Sequence, residues 1–385
     1  MTKRREFLKT GLAAAATLAA GRAVPELQAA KKPPMKVILW CWDSRMTWDD
    51  EPDHIHHRMA ASTTAFPYPK RPESYLVGFK RLVDYCAGAG IHAVLIWGFL
   101  RDAHGGVDAA AELCAYASDR GVAVIPGVGL CSYGGFYFEG DHPFNLDTYL
   151  RKHPDRAGNG HIEGSEREEY PVLDPALEAN QQWWRDGLEW MIETFQIGGV
   201  NFEMGDHLVN ASTEAQHARA ALGFDCNDNL KDVVVATRDV IRHGLGMLPN
   251  GLFINSTYHA YGSLEGFPDL PFVNAVPPET VWQYNIARTV RTPDFATRFH
   301  GAPKHRRYGY LHWFNASTKT MDKDYVADVA RVFPGLHQLG FEFVGTYGEI
   351  AALDNPLADR NYRAQVAWAR DPDTTVDDFQ GDASK

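Results

Sequence analysis

Short apolar, β-branched runs alternate along this chain with longer stretches whose apolar residues recur every three or four positions. Lys36–Trp42 (KVILWCW) predicts a first strand. Across Glu73–Ala89, Tyr75, Phe79, Leu82, Val83 and Cys86 keep helical spacing, and Gly88-Ala89-Gly90 supplies a stop. His92–Trp97 reads as a second strand, Val107–Arg120 as a helix closed by Gly121, and Val122–Gly127 as a third strand. A long insertion rich in Gly, Tyr, Phe and charge runs from Gly129 to Val172. Asp174–Phe195 then predicts a helix, with Asp174 as N-cap and Pro175 at its first position.

The rhythm continues to the C-terminus. Strands are expected at Gly199–Met204, Gly251–Ser256, Val281–Tyr284, Tyr308–Phe314 and Phe341–Thr346. Helices are expected at Asn229–Leu245, Val326–Leu339 and Asn361–Arg370, with a polar, frayed tail after Asp371. Eight strands joined mostly by helices predict an α/β fold, a (β/α)8 TIM barrel with long loop insertions on its C-terminal face. An open doubly wound sheet would carry a Gly-rich phosphate loop after its first strand. Trp42-Asp43-Ser44-Arg45 stands there instead.

The N-terminus has a different character. Lys3-Arg4-Arg5-Glu6-Phe7-Leu8-Lys9 precedes an Ala-rich apolar run, and small residues recur near Ala23 and Ala29-Ala30. This order resembles a twin-arginine (Tat) signal peptide over residues 1–30, followed by one barrel domain over 31–385. The resemblance implies the Tat translocase as a transient partner and a periplasmic or secreted protein. The formal net charge is −11, without a basic stripe, which excludes nucleic acid and anionic membranes as expected partners. The five cysteines contain no CxxC, so a zinc ribbon is not expected, and Cys86 and Cys114 fall on predicted helices as buried thiols. No GxSxG nucleophile elbow is present.

Barrel active sites lie at the C-terminal ends of the strands. That rule collects Asp43 after strand one, Arg101 after strand two and Tyr133 after strand three. Strand four ends in Asn201-Phe202-Glu203-Met204-Gly205-Asp206-His207, strand five in a segment ending at His259. Trp282 and Tyr284, His312 and Trp313, and Glu349 come from the last three strands. Carboxylates, aromatic platforms and amide or imidazole donors together form the inventory of a carbohydrate site. The two-residue strand period puts Asn201 and Glu203 on one face. Arg101 has two readings, a substrate contact or a structural ion pair. The His-rich segment Asp49–His57 is read as a solvated polar loop.

The stretch Asp174–Phe195 followed by GGVNFEMGDH resembles the approach to strand four in barrel glycoside hydrolases, where an acid ends that strand. Phe341–Phe379, with its Trp368-Ala369-Arg370-Asp371-Pro372-Asp373 turn, is similar to the barrel end of hexosaminidase- and α-glucuronidase-like hydrolases. The adjacent Asp-Glu pair of hexosaminidases is absent here, and Asn201 and Gly205 stand where a chitinase-type motif has acids. The resemblance implies a glycoside hydrolase with Glu203 as general acid/base and Glu349 or Asp206 as the second carboxylate. Asp43, Arg101, Tyr133, His207, His259, Trp282, Tyr284, His312 and Trp313 are then the expected substrate-binding residues, with no cofactor. Glu203, His259 and Glu349, with His207 or His312, also resemble the metal set of xylose-isomerase-like barrels, which implies a divalent metal and isomerase, epimerase or lyase chemistry. A sugar-binding barrel without catalysis is the third reading.

Overall fold

A computed structural model describes residues 33–42, 72–131, 134–162, 170–203, 207–210, 217, 220–221, 230–256, 277–285, 305–311, 323–348, 353 and 355–382. Eight strands close into a barrel: β1 (Lys36–Trp42), β2 (Ala93–Trp97), β3 (Ala123–Gly129), β6 (Gly199–Glu203), β8 (Leu252–Ser256), β9 (Val281–Asn285), β10 (Arg306–Tyr310) and β11 (Phe343–Tyr347). Every pairing between them is parallel, and each strand neighbours the next barrel strand in sequence. The expected (β/α)8 barrel is therefore the fold. It lies within the compact unit Pro34–Lys385.

Helices α1 (Pro72–Ala89), α2 (Gly106–Ser118), α4 (Glu178–Thr194), α5 (Leu230–Met247), α6 (Val326–Gln338) and α7 (Pro356–Arg370) connect or follow the barrel strands, and α3 (Leu146–Lys152) and α8 (Val376–Asp382) are short. After α1, α2 and α6 the backbone turns into the next strand through Gly90, Gly121 and Gly340, at φ +79°, +69° and +73°. Only glycine adopts that geometry without a Cβ penalty, which is why the helix–Gly–strand phrase recurs in the sequence.

Two apolar layers follow from strand alternation. One fills the lumen with Ile38, Trp40, Leu95, Trp97, Ile125, Tyr308, Tyr310 and Tyr347 among others. The other packs the outer faces of the strands against the helices. Such large aromatics fit in an eight-stranded lumen because glycines face them. A Cβ on Gly127 would lie 2.5 Å from the Trp97 ring. Gly345 likewise makes room for the Tyr308 hydroxyl.

Some local expectations differ from what forms. The insertion between β3 and α4 is structured: it holds α3 and the strands β4 (Ala157–Ile162) and β5 (Tyr170–Leu173). These join β7 (His207–Asn210), from the segment after β6, in a three-stranded antiparallel sheet of order β5-β4-β7. Asp174 is not the N-cap of α4. It is buried, accepts from Ala176 N at 2.9 Å, and its carbonyl takes Asn180 Nδ2 at 2.8 Å, so the helix starts only at Glu178. At the C-terminus α7 begins at Pro356, capped by Asn355 accepting from Leu357 N at 2.9 Å. The tail is not frayed: Thr375 and Asp378 cap α8 reciprocally, and Phe379 packs on Trp368 with ring centres 5.4 Å apart.

Candidate active site

On β6 the strand period sends Val200 and Phe202 into the outer layer and turns Asn201 and Glu203 to the lumen. Glu203 is 2% exposed and ends its strand at the C-terminal rim. It is the one Asp or Glu in the eight barrel strands. Its neighbours in register are Gly129 on β3, which adds no side chain, and Ser256 on β8. The Glu203 carbonyl accepts from Leu130 N at 3.2 Å, tying the strand end to the segment after β3.

A chain of side-chain hydrogen bonds crosses the lumen beside this carboxylate. Trp97 Nε1 donates to Asn201 Oδ1 at 3.2 Å, Asn201 Nδ2 donates to Ser256 Oγ at 2.5 Å, and Ser256 Oγ donates to Gln283 Oε1 at 2.6 Å. All four residues are buried. The opposite part of the lumen is aromatic. Trp40 packs at 5.4 Å from Tyr310 and edge-on at 5.1 Å from Tyr347, which themselves meet at 5.6 Å. Tyr308 lies fully buried in the same layer, and burial pushes its hydroxyl well above the usual phenol range, so it stays neutral. Phe138, from the insertion, completes this cluster.

The expected site residues separate into groups. Glu203 faces the lumen as the strand period requires. Arg101 is 1% exposed, donates to Glu139 Oε2 at 2.7 Å, and stacks its guanidinium 4.5 Å from the Phe138 ring centre. This ion pair fastens the insertion to the end of β2. Trp282 and Tyr284 face away from the lumen, into the layer beneath the helices, where they meet His305 at 6.0 Å and Phe341 at 5.7 Å. On this strand it is Gln283, between them, that turns to the lumen. His207 opens β7, four residues after Glu203, paired with Ile162. Asp43, Tyr133, Asp206, His259, His312, Trp313 and Glu349 lie outside the described residues, as does Cys226. Among the described residues no group of three or more His, Cys, Asp or Glu could hold a metal ion.

Trp40, Trp97 and Tyr310 complete the lumen without having been singled out from sequence, beside Ser256, Gln283 and Tyr347 from the strand ends that the barrel rule selects. Counting in twos from one known lumen residue on each strand would have found them.

No family model matches the sequence, and no curated protein matches it. Solved structures do. The GH36 α-galactosidase AgaB from Geobacillus stearothermophilus gives a TM-score of 0.52 at 13% identity, over 89% of this chain and 42% of its own. The galactosidase domain of the α-galactosidase-sucrose kinase AgaSK gives 0.51 at 12% identity, over 88% and 41%. The GH20 exo-β-N-acetylglucosaminidase from Vibrio harveyi gives 0.50 at 12% identity, over 91% and 57%. The chain spans 42% of AgaB and 57% of the Vibrio enzyme. What it shares with them is the barrel fold.

Proposed function

We propose that this barrel is a glycoside hydrolase acting on an oligo- or polysaccharide, with Glu203 as its general acid/base. One observation carries the reading: the single carboxylate of the barrel strands stands at the C-terminal end of β6, in a lumen walled by indole, phenol and amide groups. Glu203 would protonate the glycosidic oxygen as acid, or take the proton of the attacking water as base. The second carboxylate would come from Glu349, two residues beyond β11, or Asp206, three beyond Glu203. A separation of about 5–5.5 Å would give retention, and about 6.5–9.5 Å inversion.

A hydrolysis screen over galactosides, glucosides and N-acetylglucosaminides, run with and without chelator, tests this. Wild type is expected to be active in both conditions, and Glu203→Gln to lose about 10²–10⁴-fold in kcat. Undiminished turnover by Glu203→Gln removes the assignment, and loss on chelation transfers it to metal chemistry. From Arg4-Arg5 and Phe7-Leu8-Lys9 we also propose export through the Tat translocase. Replacing both arginines by lysine should retain the chain in the cytoplasm; normal export of that variant would end the idea.

A further inference from the structure

We propose that Gln283 is a substrate-positioning residue whose side-chain amide, oriented by the hydrogen-bond chain that starts at Trp97, donates to a hydroxyl oxygen of the sugar bound beside Glu203. The inference rests on the sugar reading above and adds to it which polar group meets the ligand and in which sense.

The direction of the chain follows from its first member. An indole N–H only donates, so Trp97 Nε1 requires the amide oxygen of Asn201 opposite it. That places the Asn201 NH₂ on the other side, toward Ser256 Oγ. Ser256 thus accepts from Asn201, and its single hydroxyl proton goes to the neighbour it still has, Gln283 Oε1. Turning the Gln283 amide over would leave a buried serine proton facing an amide N–H. The oxygen of Gln283 is therefore held inward and its NH₂ faces the other way.

Three observations show that this NH₂ is available to a ligand. Exposure along the chain rises from 0% at Trp97 and Asn201 to 1% at Ser256 and 7% at Gln283, so Gln283 is its outward end. Among the described residues the Gln283 side chain makes this one hydrogen bond, and its Nε2 is not one of the buried polar atoms left without a partner. The amide nitrogen is thus open to the site. Finally, Ser256 is paired in register with Glu203 and bonded to Gln283, so the carboxylate and the amide donor flank the same serine. A donor on one side and a proton-exchanging carboxylate on the other suit an edge of neighbouring hydroxyls.

The test uses the full chain carrying Glu203→Gln, so that bound sugar persists, titrated calorimetrically with methyl glycosides of galactose, glucose and N-acetylglucosamine. Adding Gln283→Leu is expected to weaken the best-bound glycoside about tenfold, the loss of one hydrogen bond. Adding Gln283→Glu, nearly the same shape, should weaken binding further at pH 7 and regain part of it near pH 4, where the introduced carboxyl is protonated and donates. With melting temperatures matched at both pH values, a merely structural role would show no such recovery. Side-chain amide exchange by NMR reads the chain itself: Asn201 protons are protected, Gln283 protons exchange, glycoside protects Gln283, and Trp97→Phe releases Asn201. Unchanged glycoside affinity in both Gln283 variants overturns the donor role and leaves the sugar reading standing. Unchanged Asn201 protection in Trp97→Phe overturns the oriented chain. Failure of every glycoside to bind overturns the sugar reading together with the ligand named here.

Discussion

Gly127 and Trp97 set a limit on what the lumen can hold. An added methyl at position 127 would intrude on the indole, and overpacking of this kind costs about 1–3 kcal/mol. Gly127→Ala should therefore lower the melting temperature and move Trp97 off Asn201, seen as a lost indole N–H···O signal by NMR. An unchanged melting curve would show that the ring has other room. The same residues explain what could be read in advance. Asn201 and Glu203 were legible because an acid at the end of a barrel strand and its partner two residues earlier must share a face. Trp282 and Tyr284 were not, because β9 is buried on both sides and its large aromatics suit a sugar platform as well as a helix-facing layer; a shift of one residue exchanges lumen for exterior.

At the level of elements, the barrel strands announced themselves through β-branched runs framed by glycine, and the structured parts of the insertion did not. Ala157–Ile162 and Tyr170–Leu173 carry Gly and Pro and lack alternation, and the second partner of β4, β7, is distant in sequence. The last helix was missed for the opposite reason: its signal is local but small, a reciprocal cap plus one aromatic. Thr375→Ala is expected to remove that cap at a cost of about 1 kcal/mol and to raise amide exchange over residues 376–382. Unaltered protection there would mean that the Phe379–Trp368 contact holds α8 without the cap.

For the whole molecule, charge and burial translate into a pH response. His92 stands just before β2, where burial first and Lys36 second push it down to about 4 from the usual 6.5. The unfolded chain therefore takes up a proton through pH 6.5 that the folded chain refuses until about pH 4. This contribution is complete above pH 6.5 and falls away as pH drops toward 4. His92→Gln should reduce the difference in denaturant stability between pH 7 and pH 5; an equal loss in both proteins would assign it elsewhere. Asp239, lowered chiefly by its hydrogen bond from Arg238, acts in a separate window below 3.8. Among the described residues no helix is long and apolar enough to cross a membrane.

The small sheet β5-β4-β7 joins two barrel connections that would otherwise fluctuate independently. β7 begins only four residues beyond Glu203, and β4 and β5 belong to the connection from the neighbouring barrel strand. The β4–β5 and β4–β7 pairings tie the two connections together. The entropy of ordering both connections is lost together during folding. Lengthening the segment between β4 and β5 should then be tolerated, whereas breaking the β4–β7 pairing would loosen both connections at once.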